Sequence, residues 1–287
     1  MLLRRLIIAA VLGFASPALA QTTEGTAAEG QIAEATVPAL ARALQLDALF
    51  SVLREEGLSY GQTLEADMFP GGGGPQWAGD VDRIYDLSTL RTSFSAALEA
   101  ELAADPETVA DVVAFFASDL GQRVVGLEIE ARRAFLDEAN EEAARVAAEN
   151  RFADRDPKVD LLTVFIEAGD LIEMNVAGAL SGNLAFLTGM SEAGVYGEGL
   201  PADQIMSDTW AQEDQIRDDT TAWLYAYLGL AYEPLTEAEL QAYVTFMESP
   251  AGQRLNAALF VAFDRVFRKV SYDLGRAAGI AMMGQDI

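Results

Sequence analysis

The sequence predicts an all-α fold, built as two tandem helical-bundle repeats packed as a pseudo-symmetric pair. Three observations predict it. Apolar residues recur at spacings of three and four through most of the chain, which is typical of amphipathic helices. No stretch alternates apolar and polar residues as a strand does. A nine-residue motif also occurs twice, and an apolar content of 51% is high enough for a packed core.

The repeated motif starts at Phe115 and again 131 residues later, at Phe246. An offset this long is typical of a duplicated domain, because solenoid repeats are much shorter. Five residues keep the same type and register in the two copies: Phe115, Ser118, Gly121, Gln122 and Arg123 in the first, and Phe246, Ser249, Gly252, Gln253 and Arg254 in the second.

Each copy is typical of a helix that ends just before the next one begins, and we call it a corner. The serine is a predicted N-cap, because its oxygen can accept from a free N–H of the new helix. The glycine lies in the first turn, where it costs about 0.5–1 kcal/mol relative to alanine. We therefore expect a close helix–helix approach at each corner. The alternative is an anion site at the helix N-terminus, assisted by the arginine.

The first twenty residues are typical of a signal peptide. Two arginines and a short apolar run precede the small-residue site Ala18-Leu19-Ala20. We expect cleavage after Ala20, a flexible linker over 21–36, and a mature chain that is periplasmic or secreted. No later apolar stretch reaches the roughly 20 residues of a membrane span, so we expect no transmembrane anchor in the mature chain.

The first repeat is predicted over 37–150. A helical period begins at Val37, and a proline- and glycine-rich break follows at 70–75. A helix is predicted over about 88–103, and Asp105 is a predicted N-cap before a first-turn proline. A single long helix is then predicted from 119 to about 150. Its Glu128–Arg132 pair, four residues apart, is expected on the solvent-exposed face.

The second repeat is predicted over 157–287, after a polar join. Thr236 and Glu239 form a predicted capping box. The dipeptides beginning at Trp77 and Trp210 match, so we expect them at equivalent positions. With that alignment, the second repeat contains an insertion of about 20 residues, around 180–201.

The segment from Leu235 to Arg254 is an acidic capped helix followed by an aromatic residue, Ser-Pro and a glycine before a long helix. This pattern resembles the exported bacterial family called domain of unknown function 2059. The resemblance covers about 223–274, and less closely 88–138, so we expect two copies with the second one clearer. It implies a helical exported protein and brings no catalytic residues.

The chain contains no histidine and no cysteine. This excludes Ser-His-Asp and Cys-His nucleophile systems, zinc sites built from those residues, and disulfides. No glycine-rich phosphate-binding motif is present either. We therefore assign no catalytic, cofactor-binding or metal-binding residue and expect no cofactor, and we expect the protein not to be an enzyme.

Carboxylates are the remaining reactive groups. Glu167, Asp170 and Glu173 recur every three residues, and Glu55-Glu56 occupy the related part of the first repeat. The simpler interpretation is a solvated helix face. The alternatives are a carboxylate pair for glycoside cleavage or oxygen ligands for calcium.

The net charge is −26. Such a surface repels phosphate backbones and anionic membranes, so nucleic acid is not an expected partner. The charge favours either plain solubility or a docking surface for basic partners. Trp77 and Trp210 lie beside the predicted loops, where they are core anchors or, alternatively, line a possible groove between helices.

These observations lead to three hypotheses. The first is a non-enzymatic interaction protein of the cell envelope, with a protein partner. The second is a carrier of an apolar small molecule in a groove between helices. The third is a carboxylate-based cell-wall glycan hydrolase.

Overall fold

The computed structural model of the 287-residue chain describes residues 36–70, 73–197 and 201–284. The predicted signal peptide, nearly all of the predicted linker, and the last residues of the second repeat lie outside these ranges. So do two glycines of the 70–75 break and part of the predicted insertion.

The described residues form thirteen α-helices and no strand, which confirms the all-α prediction. In chain order the helices are α1 (Val37–Ala43), α2 (Leu46–Met68), α3 (Gly74–Ile84), α4 (Leu87–Leu102), α5 (Pro106–Phe116), α6 (Asp119–Ala134), α7 (Glu138–Asp154), α8 (Pro157–Ala168), α9 (Leu171–Glu192), α10 (Ala202–Trp210), α11 (Glu213–Ala231), α12 (Glu237–Met247) and α13 (Pro250–Met283).

Several helix starts follow from local sequence. The Asp105 carboxylate accepts from the backbone N–H of Thr108 at 3.2 Å, with proline in the first turn of α5. Thr236 and Glu239 form the predicted capping box of α12, in which each side chain accepts from the other residue's backbone N–H. These interactions satisfy N–H groups that no helix can pair internally.

The prediction of one helix from 119 to about 150 is wrong. The chain ends α6 at Ala134 and restarts α7 at Glu138. Asp137 caps the new helix, because its carboxylate accepts from the backbone N–H of Ala139 at 2.9 Å. An aspartate that binds a neighbouring N–H stabilises a helix start more than a helix interior.

The predicted insertion around 180–201 is also wrong. From Leu46 to Leu87, the first residues of α2 and α4, is 41 residues; from Leu171 to Glu213, the first residues of α9 and α11, is 42. Residues 180–192 belong to α9, whose 22 residues nearly equal the 23 of α2. The two matched tryptophans mark different positions, since one lies in the first turn of α3 and the other ends α10.

One apolar core runs through both predicted repeats. Helix α13, 34 residues long, packs against α9 of its own half and against α3, α4 and α5 of the first half. Phe263 of α13 lies between Phe94 of α4 and Phe50 of α2, with ring centroids 4.5 and 6.2 Å away. The halves therefore interlock through α13. Their pseudo-symmetric packing stays a prediction.

Helices α9 and α13 approach each other closely enough that backbones touch. A Cβ atom on Gly275 would lie 2.0 Å from the carbonyl oxygen of Phe186, and one on Gly189 would lie 2.3 Å from that of Tyr272. Glycine is required at both points. Within the described ranges, no helix combines the length and apolar character needed to cross a bilayer.

Candidate functional site

The two corners have the same local structure. Helices α5 and α12 end at Phe116 and Met247, two residues before the capping serines. Ser118 accepts from the backbone N–H of Gly121, and Ser249 from that of Gly252, both at 3.1 Å. These bonds explain why a serine stands three residues before a glycine in each copy.

The close approach expected at the first corner lies within the corner itself. A Cβ atom on Gly121 would lie 2.2 Å from the carbonyl oxygen of Phe115 and 2.5 Å from the Cα of Phe116. Both are backbone atoms of the preceding helix, so they cannot rotate away. The start of α6 therefore sits directly on the end of α5.

The two corners also contact each other. The rings of Phe115 and Phe246 stack with centroids 4.4 Å apart and planes 16° from parallel. Arg123 binds the Glu239 carboxylate and donates to the Pro234 carbonyl oxygen at 2.7 Å.

The second corner makes the reciprocal connection. Arg254 donates to the Glu101 carboxylate at 3.3 Å and also binds the Glu101 carbonyl oxygen. Each arginine thus crosses to the other half, near the helix that precedes the other corner. Because both guanidinium groups bind protein oxygens, the geometry favours packed corners over anion sites.

The glutamines of the motif differ in their surroundings. Gln122 donates to the carbonyl oxygens of Ala43 at 2.8 Å and Phe116 at 2.6 Å, which ties α6 to the end of α1. Gln253 is exposed. In the second half, the buried Asn256 donates to the Gly169 carbonyl oxygen at 2.7 Å and ties α13 to the end of α8.

Behind the corners lies a buried polar cluster centred on Glu128 of α6, which is only 3% exposed. The hydroxyls of Tyr232 and Tyr243 donate to its Oε1 atom at 2.5 and 2.7 Å. The Tyr227 hydroxyl donates to its backbone oxygen at 2.8 Å. Its Oε2 atom is buried without a hydrogen-bond partner.

This environment changes the ionisation of the carboxyl. Burial raises the pKa of Glu128 to about 8, although the hydrogen bonds from Tyr232 and Tyr243 act in the opposite direction. A buried carboxylate without a cationic partner is costly, so the proton is retained. Glu128 is therefore a neutral carboxylic acid at pH values below about 8.

The Glu128–Arg132 pair expected on the solvent-exposed face is wrong, since both side chains are buried. Arg132 instead forms a two-point ion pair with Glu56 of α2, at 2.7 and 2.8 Å. The reason is tertiary: α6 is covered by α2 and by α11. Local spacing in one helix does not reveal that a second helix covers its polar face.

The cluster has the perturbed ionisation that marks many functional sites, but it lacks access. With Glu128 almost fully enclosed, a substrate has no route to its carboxyl in this conformation. The contacts show what the group does instead: it joins α6 to α11 and α12 across the boundary between the halves.

The carboxylate series of α8 and α9 is solvent-exposed at Glu167, Asp170 and Glu173. Hydrogen bonding from Arg217 lowers the pKa of Glu173. In the described part of the chain, no three acidic side chains are arranged to hold a metal ion. This arrangement is that of a solvated helix face.

The two tryptophans of the possible groove lie in opposite environments. Trp77 is buried, packs edge-on against Phe69 at 5.0 Å, and donates from its indole nitrogen to the Gly61 carbonyl oxygen at 2.9 Å. It anchors α3 to α2. Trp210 is 55% exposed at the end of α10. Sequence patterns alone do not separate these roles, because exposure depends on what α10 packs against.

Comparison with known proteins gives one match. The family model described as uncharacterized protein conserved in bacteria (DUF2059) matches residues 88–149. This segment begins in α4, ends in α7 and includes the first corner, Glu128 and Arg132. The predicted resemblance is thus confirmed in the first half, whereas a second copy stays a prediction. No curated protein and no solved structure matches the chain.

Proposed function

We propose that the protein is a non-enzymatic interaction protein of the cell envelope, which docks a protein partner on the outer face of α10. The observation that carries this proposal is an exposed tryptophan beside an exposed methionine. Trp210 is 55% exposed and Met206 is 48% exposed. Large apolar side chains grouped on a surface are typical of interaction sites.

The helical register places these two side chains together. Met206 and Trp210 are four residues apart and lie on one face of α10. Ile205 and Thr209, also four apart, form the buried face, and α10 packs against α9. The helix therefore presents its Met–Trp face to solvent. Tryptophan is enriched among the residues that dominate binding energy at protein interfaces.

The charges around this face indicate the chemistry of the partner. Exposed acids at Asp203, Asp208 and Asp214 accompany the apolar pair. The neighbouring cation, Arg217, binds Glu173 and Glu213 and is thereby neutralised. A partner that complements this surface has an apolar cleft edged by lysine or arginine, and opposite charges accelerate its association.

The remaining helices are proposed to form a rigid support assembled from a duplicated unit. Two observations support the duplication: the five identities between the corners, and the parallel helix lengths, such as 11 residues for both α5 and α12. The envelope location rests on the predicted signal peptide. The interaction role also rests on the absence of histidine and cysteine from the sequence.

Site-specific photo-crosslinking in the native host tests the proposal. A photoreactive amino acid at position 210 is expected to give one discrete adduct, and the same residue at position 261 serves as the control. Val261 is a similarly exposed apolar residue of α13, at 46%. The adduct at 210 would identify the partner by mass spectrometry.

Binding to that purified partner then supplies the decisive measurement. Trp210→Ala is expected to weaken binding by at least tenfold, as at other tryptophan hot spots, and Val261→Ala by less than twofold. Association is expected to slow as salt concentration rises. Equal crosslinking at 210 and 261, or unchanged affinity in Trp210→Ala, would overturn the proposal.

A further inference from the structure

A groove of about 400 Å³ lies between α3 and α4 on one side and α13 on the other. This volume is within the range of about 300–1,000 Å³ typical of small-molecule sites. Its apolar lining comes from all three helices and consists of Ile84, Leu90, Val266, Val270, Ala277 and Ile280. Ile280 is 45% exposed, so the apolar surface continues to the mouth of the groove.

The groove also collects positive charge in a chain that has little of it. Only 19 of the 287 residues are lysine or arginine, and three of them, Arg83, Lys269 and Arg276, line this groove. The acids beside them neutralise two: Arg83 pairs with Asp80 at 2.7 Å, and Lys269 with Asp273 at 2.6 Å.

Arg276 is the remaining cation. Among the residues that the structure describes, no carboxylate lies within ion-pair distance of its guanidinium group. The groove therefore has a local surplus of positive charge beside an apolar surface, against a net charge of −26 for the chain. The guanidinium group is suited to carboxylate and phosphate, which it can bind through two parallel hydrogen bonds.

We propose that this groove binds a small amphiphile with one acyl chain and an anionic headgroup. Arg276 binds the headgroup, while the chain lies on the lining residues of α4 and α13. Each buried methylene contributes about 0.8 kcal/mol, so the chain supplies affinity and the arginine selects the charge. This site is distinct from the α10 surface and does not depend on a protein partner.

Isothermal titration calorimetry with the mature protein tests the proposal. The probes are oleate, an oleoyl lysophosphatidate and uncharged oleyl alcohol, each below its aggregation concentration. We expect the anionic probes to bind at least tenfold more tightly than the alcohol. Tighter binding of oleate would identify a fatty-acid carboxylate as the natural headgroup, and tighter binding of lysophosphatidate a lipid phosphate.

Two variants at the same helix separate a site from general surface charge. Arg276→Gln is expected to weaken the anionic probes about tenfold and the alcohol less than twofold. Arg268→Gln is the matched control, because Arg268 is also on α13 but pairs with Asp264 and does not line the groove. Ile280→Asp is expected to weaken all probes, and circular dichroism checks that each variant is folded.

The proposal fails if no probe binds, if the alcohol binds as tightly as the anions, or if Arg268→Gln and Arg276→Gln have equal effects. Trp210→Ala is expected to leave amphiphile binding unchanged. That variant therefore distinguishes failure of this site from failure of the proposed interaction surface.

Discussion

At the scale of single residues, Glu128 is the most unusual group in the described structure. Two tyrosine hydroxyls donate to one of its oxygens, and the other oxygen is buried without a partner. Arg132, one helical turn away, is held by Glu56. The carboxyl therefore lies in apolar surroundings with donors but no counter-charge, which favours its protonated form.

This arrangement predicts a pH-dependent stability. The folded-state pKa of Glu128, about 8, lies above its ordinary value of 4.5. Between these values the folded state holds a proton that the unfolded state has released, so its contribution to stability falls as pH rises. The slope is at most about 1.4 kcal/mol per pH unit, and it ends above pH 8. Glu128→Gln, neutral at every pH, should remove this slope in urea unfolding measured from pH 5 to pH 9.

Glu167→Gln serves as the control, since it removes an exposed carboxyl of α8. It should retain the wild-type slope, whereas Glu128→Gln should become more stable than wild type at pH 9. A Glu128→Gln protein with the full wild-type slope would show that Glu128 ionises normally.

At the scale of elements, the corners show how a short motif builds a junction between helices. The serine caps the second helix and the glycine lets its first turn contact the end of the helix before it. The phenylalanine and arginine then extend outward, to the other corner and to the other half. Identical local structure thus serves two different sets of tertiary contacts.

Gly121→Ala tests the close approach at the first corner. The new methyl group would overlap the backbone of Phe115 and Phe116, and such overpacking costs about 1–3 kcal/mol. We expect that loss in the free energy of unfolding, measured with urea. Gly126→Ala is the matched control in the same helix, because no atom lies within 4 Å of a Cβ there.

Alanine at 126 should stabilise the protein by up to about 1 kcal/mol, because alanine favours a helix more than glycine does. The difference between the two variants isolates the clash, since both remove one glycine from α6. Equal effects of the two substitutions would contradict the proposed backbone contact.

At the scale of the whole molecule, α13 determines how the halves depend on each other. It covers α3, α4 and α5 of the first half while it packs along α9 of the second. Phe94 and Phe50 lie in a core that Phe263 completes. Without α13, the first half exposes this apolar surface to water, which removes much of the free energy that favours folding.

Separate expression of the halves tests this dependence. Fragments 37–150 and 157–284 should each lack a cooperative urea transition by circular dichroism. An equimolar mixture should recover one transition, since the missing apolar surfaces are then covered. The chain 37–284 is the control. A fragment that unfolds cooperatively alone would show that the predicted repeats are independent domains.

Much of the fold was predictable because helix signals are local. The apolar spacing gave helices, and Asp105, Ser118, Thr236 and Ser249 marked helix starts through bonds that span three residues. The same evidence misplaced Asp137 inside a helix. It also aligned Trp77 with Trp210, although the number of residues between helices would have been the better guide.

The sequence by itself determined the all-α class, the corners and the absence of histidine- and cysteine-based chemistry, because these depend on residue types and short-range hydrogen bonds. Only the tertiary structure decided that Glu128 is buried, that Trp77 is covered while Trp210 is exposed, and that Arg276 faces an apolar groove. Burial depends on which distant helices pack together, and a helix carries the same periodic pattern whichever neighbour covers it.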